Sequence, residues 1–90
     1  MEQFTNEKSI INAQNAFGDT LTCIERQIGI EPDGTTPINE YITIEHDTDS
    51  EHHLNLCIFK SLEEMIQNVT WHTWILQGVK SPELQKLITK

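Results

Sequence analysis

The chain has 90 residues and a formal charge of −8, from 14 acidic against six basic side chains. That length fits one domain, and a domain so small buries only about 60% of its unfolded surface, so a lone monomer has a thin core. The acidic balance argues against a nucleic-acid binder, and no apolar run approaches the roughly 20 residues of a membrane helix.

The opening residues, MEQFTNEKSI, lack the basic and apolar regions of a signal peptide, so the expected location is cytoplasmic. In that compartment the two cysteines, Cys23 and Cys57, are expected to be free thiols. Neither has a CxxC partner, so redox chemistry has no local support.

The first predicted element is a long helix over residues 6–28. Ile10, Ala13, Phe17, Leu21, Ile24 and Ile28 recur at helical spacing. Thr5 or Asn6 would cap it and Gly29 would stop it, with Gly18 inside at a cost of about 1 kcal/mol. Pro32-Asp33-Gly34 then reads as a turn, and Pro37 ends the loop.

Alternation of period two predicts strands over 40–46 and 52–59, joined by the polar run Asp47–Glu51. Pairing Ile44 with Leu54 and Ile42 with Leu56 puts five aliphatics, Ile58 included, on one face. The same register sets His46 against His52 and Glu45 against His53.

Ser61-Leu-Glu-Glu64 is a capping box and predicts a helix over 62–77. Its stripe is Leu62, Met65, Ile66, Val69, Thr73 and Leu76, with Trp71, Trp74 and Ile75 near the opposite side. Ser81-Pro82 starts a last helix, 82–89. The expected fold class is therefore α+β in the order α-β-β-α-α. The long N-terminal helix precedes a β-hairpin, and the two C-terminal helices pack on one face of that hairpin.

Charge is unevenly placed. Between Gln27 and Phe59 there is no Lys or Arg, while Glu31, Asp33, Glu40, Glu45, Asp47, Asp49 and Glu51 all fall there. On the predicted hairpin these acids make an anionic surface, which speeds encounter with a basic partner.

Catalytic and metal motifs are thin. His46, His52 and His53 flank the turn, but Cys57 falls on the opposite face from His46 and His52, which breaks the best set of zinc ligands. Asp47-Thr-Asp49-Ser-Glu51 echoes a calcium loop, yet His52 stands where Gly is required and Ile58 where the bidentate Glu belongs. No phosphate loop, GxSxG or HExxH occurs.

The expectation is a non-enzymatic protein-interaction domain without a cofactor, of the inhibitor or immunity type. It would occlude a basic surface through Glu45, Asp47, Asp49 and Glu51, with Tyr41 as an anchor. The alternative is a homodimer or other homo-oligomer formed through the Trp71/Trp74/Ile75 face or a sheet edge, since open edges invite pairing and Trp is enriched at interface centres.

Overall fold

The computed structural model describes residues 7–48 and 53–89. The elements are β1 (Glu7–Gln14), β2 (Thr20–Ile30), β3 (Pro37–His46), β4 (His53–Phe59), α1 (Leu62–Asn68), a 3₁₀ turn (Trp71–Thr73), β5 (Ile75–Val79) and α2 (Pro82–Thr89). All five strands form one sheet in the order β4-β3-β2-β1-β5, and every neighbouring pair is antiparallel.

The expected N-terminal helix is overturned: residues 6–28 hold β1, a tight turn and most of β2. The turn is written in Asn15 and Gly18. Asn15 Oδ1 accepts from the backbone N–H groups of Phe17 (2.9 Å) and Asp19 (3.0 Å), and the Asn15 carbonyl accepts from Gly18 N–H at 3.1 Å. Gly18 has φ of +92°, a region that side-chain-bearing residues rarely occupy. The flanks are rich in β-branched residues, which suit a pleated half-buried surface.

A bulge between Ser9 and Ile11 then lets two consecutive residues, Ile10 and Ile11, both reach the core. The helical spacing of Ile10, Ala13, Phe17 and Leu21 is thus a coincidence of two strands and a turn.

The expected helix over 62–77 is also overturned. Ser61 Oγ accepts from Glu64 N–H at 3.1 Å, so α1 starts at its cap, but it ends after seven residues. Asn68 folds its amide back onto the Glu64 carbonyl at 2.8 Å, and Val69 is extended. The run Val69-Thr-Trp-His-Thr-Trp-Ile75 is β-branched and aromatic, and it passes through the 3₁₀ turn into β5. Ser81 Oγ accepts from Leu84 N–H at 3.2 Å and opens α2.

These corrections change what covers what. β4 and β5 lie at opposite edges and run the same way, so α1 carries the chain across one face of the sheet. On that face lie Ile11 and Ala13 of β1 and Leu21 and Cys23 of β2, packed with Met65 of α1 and Leu84 of α2. Ile11, Met65 and Cys23 are the largest fully buried side chains. Burial pushes the Cys23 thiol up to about 12.

The other face carries the aliphatics of the hairpin. Its register differs from the expected one by two residues: Ile42 pairs with Ile58 and Ile44 with Leu56, with Ile24 of β2 on the far side of Ile42. These residues do share a face, but it is the face without helices. Ile42 is only 6% exposed, shielded by its strand neighbours, and is not part of the core cluster. The Cα envelope is 18 Å in its thinnest direction, room for a sheet and one helix layer.

Candidate functional site: a cleft beside Glu45

Because α1 is short, it covers only part of the helix-side face. Beyond its C-terminal end a cleft of about 400 Å³ remains. Thr43 and Glu45 of β3 and Asn55 and Cys57 of β4 form its floor, and Phe17, Phe59 and Trp74 also line it. The floor follows from register, since Thr43 pairs with Cys57 and Glu45 with Asn55. Phe17 sits in the β1–β2 turn and is 82% exposed.

The cleft has one carboxylate, Glu45, and no His, Lys or Arg among its described lining residues. Three aromatic residues, Phe17, Phe59 and Trp74, and the amides Asn15, Asn55 and Asn68 line the cleft with that single charge. Such a setting attracts a cation: the carboxylate supplies the counter-charge and the rings supply quadrupole attraction, about 0.5–2 kcal/mol per contact. Cys57, the one thiol among the described lining residues, contacts Asn55 Oδ1 at 3.7 Å, and no His lines the cleft beside it among the described residues.

Glu45 thus faces the cleft rather than an outer hairpin surface. Asp47 follows β3 in the loop, and Asp49 and Glu51 lie outside the described residues. Tyr41 is four residues back along β3, where its hydroxyl donates to Glu25 Oε2 at 3.1 Å. Burial first, then the Glu25 carboxylate, push the Tyr41 phenol above its usual range. Tyr41 packs against the core, apart from the cleft.

Trp71, Trp74 and Ile75 do not form one surface. Trp71 and Trp74 pack on the core, with the Trp71 indole N–H donating to the Ile66 carbonyl at 2.8 Å. Ile75 pairs with Gln14 and is 65% exposed. Trp74 instead lines the same cleft as Glu45, a placement invisible while residues 62–77 read as one helix.

His46 pairs with His53 in the backbone register, and His52 lies outside the described residues. Among the described residues no group of three His, Cys, Asp or Glu side chains could hold a metal ion. Cys23 and Cys57 are both free. Each pairs with Thr43 from opposite sides, which sets them two strand spacings, about 10 Å, apart and beyond disulfide reach.

No protein-family model matches the chain, and neither a curated protein nor a solved structure is significantly similar to it. Among the described residues no helix is long and apolar enough to cross a membrane.

Proposed function

We propose that this chain is a small non-enzymatic protein-interaction domain that engages a basic partner and seats one of its Lys or Arg side chains in the cleft beside Glu45. It works as an occluding or inhibitory module in the cytoplasm, the compartment that suits its two free thiols. The observation that carries the reading is Glu45, the lone carboxylate among the described residues lining a cleft that Phe17, Phe59 and Trp74 also line. The −8 charge of the chain supports it, because a strongly anionic body draws a cationic partner in and the cleft then fixes its orientation.

The test is a titration of isotope-labelled protein with a short arginine-rich peptide at two ionic strengths. Resonances of Thr43, Glu45, Asn55 and the Trp74 indole should shift at low salt and recover at high salt. Glu45→Gln should weaken binding about tenfold or more, the equivalent of roughly 1.4 kcal/mol. Binding by Glu45→Gln as tight as wild type, or shifts spread evenly over every acidic segment, refutes the cleft.

A further inference from the structure

The helix-free face of the sheet is a second surface, independent of the cleft. Ile24, Ile42 and Ile58 form one row across β2, β3 and β4, and Ile44 with Leu56 forms the next. Leu56 is 49% and Ile58 54% exposed. Ile42 at their centre is 6% exposed, so the accessible apolar surface comes from Leu56, Ile58 and the half-buried Ile24 and Ile44 around it; apolar surface of this kind is where partners dock.

The charges nearest by register cancel in large part. Arg26 is bonded to Glu40, with Nε to Oε2 at 2.9 Å, and also pairs with Glu7 at 3.4 Å. The aliphatic rows themselves carry no charge, and the ion cluster beside them is left with one negative charge of the chain's −8.

We propose that this face binds a second copy of the chain, sheet against sheet, so that two open faces close into a sandwich. Three observations select that occupant. A basic partner gains nothing from an uncharged aliphatic face, whereas an identical face matches it without needing counter-charges. Rows of Ile and Leu on a twisted antiparallel sheet are what the inner faces of a β-sandwich present.

The area is also sufficient. Five strands at about 4.8 Å spacing, over six or seven residues at about 3.3 Å each, give a flat footprint of about 500 Å² per copy for the whole helix-free face, of which the three strands with the aliphatic rows supply about 300 Å². Side-chain relief raises that figure, and a specific interface needs roughly 500 Å² per partner. The like charges of the two bodies oppose the association, so salt strengthens it. That is the reverse of its effect on binding at the cleft.

Sedimentation equilibrium from low micromolar to submillimolar protein, at low and high salt, tests the proposal. Wild type should move from 10.4 kDa towards twice that mass, and do so at lower concentration in high salt. The double variant Leu56→Lys/Ile58→Lys should remain monomeric throughout, with an unchanged far-ultraviolet dichroism spectrum. Thr22→Arg pairs across from Ile44 and removes no aliphatic, so it repeats the test should the double variant not fold. Phe17→Ser and Glu45→Gln should dimerise as wild type does, which keeps this result separate from the fate of the cleft. A wild type that is monomeric at every concentration in high salt overturns the proposal. A dimer that survives both the double variant and Thr22→Arg also overturns it, and points to a sheet edge or to another partner for the face.

Discussion

Met65→Ala and Ile58→Ala together ask which face of the sheet holds the core. Met65 is fully buried between α1 and the sheet. Truncating it removes apolar surface and leaves a cavity, and such changes cost about 2–5 kcal/mol. A chain of this length has roughly 5–13 kcal/mol in total, so the loss consumes a large share. At about 4–8 °C per kcal/mol the melting temperature should fall by at least about 8 °C.

Ile58 is 54% exposed on the helix-free face. Full burial of an aliphatic side chain is worth about 1.5–3 kcal/mol, so truncating one that is half exposed should cost no more than about 0.7–1.5 kcal/mol in the monomer, below the cost at Met65. Urea unfolding followed by dichroism at low micromolar protein measures both. A midpoint that stays fixed when the protein is diluted ensures that the values belong to the monomer. Equal costs, or a larger cost at Ile58, would mean that the helices cover the aliphatic face after all.

Two further outcomes follow from local geometry. Gly18→Ala should destabilise more than Gly34→Ala in the same urea assay. Both glycines have positive φ, but a Cβ at Gly18 would lie 2.8 Å from Thr48 Cγ2 while one at Gly34 meets open space; the first should cost clearly more than about 1 kcal/mol and the second about 1 kcal/mol. Alkaline pH should weaken the fold through Cys23. Its thiol ionises near 9 when unfolded but only at about 12 when folded, so the unfolded chain loses its proton first and stability falls as pH rises through that window. The loss approaches about 1.4 kcal/mol per pH unit, and Cys23→Ala should remove that slope; identical pH profiles for the two proteins would contradict the burial.

What the sequence disclosed was local. Alternation located the hairpin strands and placed Ile42, Ile44, Leu56 and Ile58 on one face. Side-chain chemistry at Ser61 and at Ser81-Pro82 marked where α1 and α2 begin. Two long-range matters were not legible. Period two says which residues share a face, not which face another element will cover, and here the less aliphatic face, with Tyr41, Thr43, Cys57 and Phe59, received the helices. Period 3.6 misled over residues 6–28 because two antiparallel strands joined by a five-residue turn can imitate a stripe. The contrary signals were present: Asn15 and Gly18 at turn spacing, and the density of Ile and Thr on either side. Register slipped by two because the residues joining β3 to β4 offer no Asn-Gly or Asp-Gly pair to fix it.

The stretch that was hardest to read is also the one that makes the cleft. Crossing from β4 to β5 means traversing four strand spacings, about 19 Å. A helix over all of 62–77 would be about 24 Å long and could roof the whole face. The run from Val69 to Ile75 prevents this, since its β-branched and aromatic residues lose side-chain freedom in a helix and fit a sheet edge. So α1 stops after roughly 10 Å, the 3₁₀ turn swings Trp71 back onto the Ile66 carbonyl, and Trp74 is left beside an unroofed stretch of β3 and β4. Glu45 stays partly exposed in the cleft because the helix layer runs out before reaching it. The site is set by where a helix fails to continue, so it belongs to the same seven residues that decide the topology.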